Sequence, residues 1–450
     1  MIPNLDNKKD AIMLNRRAVL GGMAALSASP AIAAGIRRPD MHFPKGFLWG
    51  AATAPHQVEG NNLGSDNWIV ENVPGSIYAE PSLDAAGSLE LWPVDLDLVK
   101  AMGLNTYRFG IEWARIEPEQ GRFSVAMLDH YKRMIDGCIA RGITPFVTFN
   151  HFTCPRWFAA MGGWGNPASV GLFARYCEGA ARHLAAGIGY ATTLNEPNLA
   201  GKVQELLPGN LRDGDKATQE AAGRATGSPM FQAGNALYVR DVAATQANLL
   251  AAHKAGRAAI KGVRPDLPVG TSLAMLDEQA AGRDTTLRDK ARARYYDEWL
   301  HAVRGDDFVG VQNYERHVWS RNGQLPPPAG ARLNTMGAEV HPPSLAGVAR
   351  YAHAVSGCPI VVTEHGVGTD DDSIRQWLIP AALAELKLAM DEGVPVLGYV
   401  HWSLVDNFEW GFGYRIRFGL HTLDRTTFER RPKPSAAVLG AIARANSLAT

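Results

Sequence analysis

Short apolar runs that alternate with helix-patterned segments about eight times constrain this chain more than any other feature. The runs are Phe43–Thr53, Thr106–Gly110, Thr144–Asn150, Ala191–Asn195, Pro268–Leu273, Asp307–Tyr314, Pro359–Gly366 and Val396–Trp402. Between them, segments such as Val94–Met102, Leu128–Arg141, Ser169–Ala186, Ala236–Gly262 and Ile374–Glu392 carry a helical spacing of apolar residues. Such alternation predicts a parallel sheet closed into a single (β/α)8 TIM barrel. An open, doubly wound sheet would normally carry a Gly-rich phosphate turn after an early strand, and the sequence has none. Functional side chains of a barrel gather at the carboxyl ends of its strands. At or just beyond those ends stand Gln57, Arg108, His151, Asn195 with Glu196, Tyr314, Glu364 and Trp402.

The seventh run, Pro-Ile-Val-Val-Thr-Glu-His-Gly, reads as a strand covered on both faces that ends on a carboxylate, Glu364, with Gly366 supplying the exit. A lone glutamate there would most simply pair with a buried arginine. A second one, Glu196 in Thr-Leu-Asn-Glu-Pro-Asn, closes the fourth run and changes that reading. Two carboxyls facing each other across one barrel mouth suit glycoside hydrolysis, where one protonates the leaving oxygen and the other attacks or activates water. Glu364, beside a cation such as Arg108 and a phenol such as Tyr314, is expected to stay ionised; Glu196, across an apolar cleft, is expected to hold its proton. Eleven tryptophans and the cluster Trp402, Asn407, Phe408, Glu409 and Trp410 supply ring faces and polar groups fit for a sugar.

Composition narrows the partners. Lys+Arg and Asp+Glu are each 45, so no charge excess points to nucleic acid or an anionic membrane. No apolar run is long enough to predict a membrane span. A small, uncharged ligand is expected, with no metal or organic cofactor. The four cysteines, Cys138, Cys154, Cys177 and Cys358, have no metal-ligand spacing and read as buried thiols. Residues 1–34 have the order of an export leader: Arg16-Arg17, a modestly apolar stretch, then Ala31-Ile32-Ala33-Ala34. This predicts a twin-arginine signal, a periplasmic or secreted location, and a barrel domain over 43–450.

From Phe43 to about Ser435 the chain resembles glycoside hydrolase family 1, the retaining β-glucosidases and β-galactosidases. Five blocks carry the resemblance in order: Phe47–Thr53 with Gln57 and Glu59-Gly60; Tyr107–Ile116; Thr193–Asn198; Thr363-Glu364-His365-Gly366; and Trp402–Trp410. The resemblance implies Glu196 as acid/base, Glu364 as nucleophile, and Arg108 with Tyr314 as the pair that fixes and ionises Glu364. It also implies Asn195 on the sugar 2-hydroxyl, Gln57, His151, Glu409 and Trp410 on the outer hydroxyls, and Trp402 as an aromatic floor. Three positions depart from the family pattern: Phe152 for Trp, Gln312 for Asn and His365 for Asn. The expected activity is an exo-acting β-glucosidase on a small β-glycoside or oligosaccharide. Transglycosylation to an acceptor hydroxyl and a barrel that binds sugar without turnover are the alternatives; the presence of Glu196 argues against the second.

Overall fold

The computed structural model describes residues 41–203 and 209–448. The expected leader, residues 1–34, lies outside the described residues. Eight parallel strands close into a barrel: β1 (Leu48–Ala52), β2 (Thr106–Gly110), β3 (Thr144–Asn150), β4 (Tyr190–Asn195), β5 (Val269–Ala274), β6 (Val309–Asn313), β7 (Ile360–His365) and β8 (Val396–Trp402). Each strand pairs with its neighbours in the chain, and β1 seals the barrel against β8 with Ala52 opposite Trp402. The expected (β/α)8 architecture is the observed one.

Helices form the outer layer, and their sequences show why. In the helix Val125–Ala140 the buried residues are Leu128, Tyr131, Met134, Ile135 and Cys138, one face at helical spacing. Ser124 caps it by accepting from the Met127 amide, as Asp241 and Asp371 cap the helices Val242–Val263 and Asp372–Asp391. β7 is buried along its whole length, as its unbroken apolar run requires. The four cysteines are all free and buried.

Two expected elements begin well after their expected starts. The first run extends as a strand only over Leu48–Ala52, because Phe43 and Phe47 turn inward and pack on Trp49 at 4.8 and 4.7 Å between ring centres. Asn446, at the end of the last helix, accepts from the Trp49 indole at 2.9 Å, so this cluster joins the start of the domain to its end. Gln57 consequently sits on a short helix, Pro55–Val58, and not at a strand end. The helix expected from Ala236 begins at Val242, where Asp241 supplies the cap. The preceding loop is tied down elsewhere: the Gly234 amide donates to Asp66 Oδ2 at 2.7 Å.

Candidate active site

The two glutamates reach one mouth because both strands lose regular pairing just before them. β4 shifts register against β5 between Thr192 and Asn195, and β7 shifts against β6 between Val362 and Glu364. Such irregularities re-aim the last side chains of a strand. Glu196 follows at φ 47° and ψ 41°, a left-handed conformation uncommon for a residue with a side chain. Its amide is held by the Ser272 carbonyl at 2.8 Å. Gly366, two residues past Glu364, is required by close approach: a Cβ there would lie 2.1 Å from the Trp402 carbonyl oxygen.

The environments of the two carboxyls differ sharply. Arg108, fully buried on β2, donates to Glu364 Oε1 at 2.6 Å, and the Tyr314 hydroxyl donates to Oε2 at 2.6 Å. Burial raises the Glu364 carboxyl from its ordinary value, while the guanidinium and the phenol pull it back toward the ionised form. No donor among the described residues is paired with the Glu196 carboxyl. Burial and then the Glu364 charge push Glu196 well above its ordinary value, against a smaller pull from Arg108. Glu196 is therefore the proton holder of the pair and Glu364 the anion.

Asn195 is locked by two donors on one atom. Its Oδ1 accepts from Arg108 Nη2 at 2.6 Å and from Gln312 Nε2 at 2.8 Å. With the oxygen engaged, Asn195 Nδ2 is left as a buried donor without an intramolecular partner. Gln57 Oε1, His151 Nδ1 and Gln312 Oε1 are buried and unpartnered in the same way. Buried polar atoms of this kind are rare in a packed interior, and several converging on one mouth suit a ligand rich in hydroxyls.

Aromatic faces complete the site. Trp402, at the end of β8, stacks on His151 with ring centres 5.7 Å apart, and its indole donates to Glu409 Oε1 at 3.2 Å. Burial pushes the Glu409 carboxyl up to about 8. His151 is driven well below its ordinary value, first by burial and then by Arg108, and is neutral. Gln57 donates to the Phe408 carbonyl at 2.8 Å, which anchors the loop carrying Glu409 and Trp410. All ten candidate residues from the sequence thus fall at this end of the barrel.

The sequence reading missed the supports. Gln312 stood out there only as a departure, yet it orients Asn195. His56 stacks on Trp410 at 5.7 Å and 6° between planes, and the ring of Phe152 meets Trp410 edge-on at 5.5 Å. Adjacency to Gln57 was the one signal for His56. Asp406 is a structural loop residue: its Oδ1 accepts from the Gly419 amide and from Lys433.

Comparison with known proteins identifies the family. The model of "Glycosyl hydrolase family 1" matches residues 40–222 and 338–448. Beta-glucosidase A of Thermotoga maritima is 29% identical over 90% of this chain and 98% of its own length. Thermostable beta-glucosidase B of Thermobispora bispora is 30% identical over 91% of this chain and 92% of its own. Among solved structures, beta-glycosidase BGL167 superposes with a TM-score of 0.85 at 43% identity, covering 91% of this chain and 98% of that one.

Proposed function

Because the chain belongs to glycosyl hydrolase family 1, we propose that it is a retaining exo-β-glycosidase that prefers β-glucosides and works by double displacement. The observation that carries the proposal is the asymmetric carboxyl pair: Glu364 held at both oxygens by Arg108 and Tyr314, Glu196 half-buried with no donor paired to it among the described residues. In the first step Glu364 attacks the anomeric carbon while Glu196 gives its proton to the departing oxygen, and a glycosyl ester forms. In the second, Glu196, now ionised, takes a proton from water as that water attacks and Glu364 leaves. Asn195 Nδ2 meets the 2-hydroxyl, where hydrogen bonds strengthen in the transition state. Gln57, His151, Glu409 and Trp410 hold the outer hydroxyls over the Trp402 indole. The named β-glucosidases among the relatives support the choice of glucose.

Chemical rescue tests the assignment. Glu364→Ala should abolish turnover with every leaving group and regain part of it with azide or formate, giving an α-product. Glu196→Ala should spare the first step for good leaving groups and respond to azide with a β-product. Appreciable activity of Glu364→Ala without an added anion would refute the nucleophile. Export by the twin-arginine route is part of the same proposal and rests on Arg16 and Arg17. Lysines at both positions should leave the protein uncleaved in the cytoplasm; unchanged secretion in a fractionation would remove that reading alone.

A further inference from the structure

Glu364 is held by its carboxyl, through Arg108 and Tyr314, whereas no donor among the described residues pairs with the Glu196 carboxyl. The direction of the acid is therefore set by its main chain and not by a partner. At Glu196 that main chain is left-handed, a conformation that persists in a residue with a side chain only where its surroundings over-determine it. One face of the helix Val242–Val263 supplies such surroundings: Gln246 and His253 are buried on it two turns apart, about 10 Å along the axis. This helix lies in the stretch between 222 and 338 over which the family model does not match.

His253 acts ahead of Glu196. Thr193 stands inside the register shift of β4, and its hydroxyl lies 2.7 Å from His253 Nδ1. His253 Nε2 lies 2.9 Å from Asp306 Oδ2, whose other oxygen takes Arg257 at 3.0 Å, so the ring's orientation is fixed from behind. Gln246 acts after Glu196. Its Nε2 donates to the Pro197 carbonyl at 3.0 Å and to the Ala200 carbonyl at 2.6 Å, at the two ends of the short turn that Glu196 begins. The Trp299 indole donates to Gln246 Oε1 at 2.9 Å, which settles which end of the amide faces the turn. Asn198 ties the same turn to Ala274 of β5 at 3.0 and 2.8 Å, so loosening the helix's grip tilts the turn without releasing it. Buried polar side chains find partners everywhere in proteins; these two find theirs on either side of one carboxyl. We propose that Gln246 and His253 are positioning residues for the acid, gripping the chain before and after Glu196 and setting the line along which it delivers its proton. The inference rests on the reading of Glu196 as the acid.

A misdirected acid harms only departures that need a proton. The test compares kcat/KM, which reports the first step, for phenyl β-glucoside, whose leaving group needs protonation, and for dinitrophenyl β-glucoside, whose leaving group needs little. Gln246→Leu should lower the phenyl-to-dinitrophenyl ratio about tenfold. His253→Gln keeps a polar atom toward Asp306 and none toward Thr193, and should lower the ratio likewise. His253→Asn keeps the atom toward Thr193 and should restore most of it. Lost stability by itself lowers both substrates together and leaves the ratio where it was. Thr193→Val removes the hydroxyl at matched volume and stands in for any variant that does not fold, with the same fall expected. An unchanged ratio, or equal effects of the two His253 variants, would overturn the proposal while leaving the chemistry standing. Glu196→Ala, measured beside them, must collapse the ratio; if it does not, the reading of Glu196 as the acid fails, and its supports with it.

Discussion

Gln312 shows what a single amide contributes at this site. Asn195 could present either end of its amide to a sugar, and the two donors on Oδ1 decide that the NH2 faces the mouth. Gln312→Leu removes one of them at similar volume. It should lower kcat/KM on a glucoside by about fivefold to tenfold, the worth of one neutral hydrogen bond, and shrink the advantage over the 2-deoxy substrate. An unchanged ratio between the two substrates would show that Asn195 needs no such guide. Tyr314 acts on charge. Its hydroxyl donates to the ionised form of Glu364 and thereby lowers that carboxyl, so its loss must raise it. The acidic limb of the pH profile of kcat/KM should therefore move to higher pH in Tyr314→Phe, and a limb that stays or moves down would contradict the assignment.

At the scale of elements, the mouth depends on segments joined where the chain is irregular. Asp66, at the start of the helix Asp66–Asn72, accepts three backbone amides: Asn67 at 2.7 Å, Cys154 at 2.9 Å and Gly234 at 2.7 Å. It ties that helix to the exit of β3 and to the loop before Val242. Burial still pushes its carboxyl up to about 6. Asp66→Ala would strand three amides in the interior, so a loss of about 3 kcal/mol or more is expected, read as a lower urea midpoint at unchanged slope. A loss under about 1 kcal/mol would mean that water satisfies the amides as well as Asp66 does. Strands β2, β3 and β8 lie where their β-branched and aromatic runs predict them. Phe43 and Phe47 were misplaced because an aromatic run reads the same whether it extends a sheet or packs beside it in the core.

Across the whole molecule, buried ionisable groups give stability a pH dependence of definite sign. Glu59 and Glu409 are raised by burial from 4.5 to about 7 and about 8, so the folded chain binds protons that the unfolded chain has released. Their contribution is complete below 4.5 and is lost as pH rises through those values. His365, lowered by burial from 6.5 to about 3, and His151 and His401, lowered with it, act oppositely: their contribution is complete above 6.5 and is lost in acid. Above 6.5 only the carboxyls still change, so Tm should fall between about pH 6.5 and about pH 8.5. A Tm that rises over that interval would sink the account. The sequence by itself determined the barrel, because a strand's apolar run and a helix's spacing are local properties, and it determined the identity of the two carboxyls and their polar company, because these close the runs. Which carboxyl holds the proton was expected from the sequence, and the tertiary structure supplied the contacts behind it. These are Arg108 and Tyr314 converging on Glu364 from other strands. Only the tertiary structure decided that Gln312 steers Asn195 and that Gln246 and His253 meet the chain on either side of Glu196, since both arise from contacts between segments that no local pattern relates.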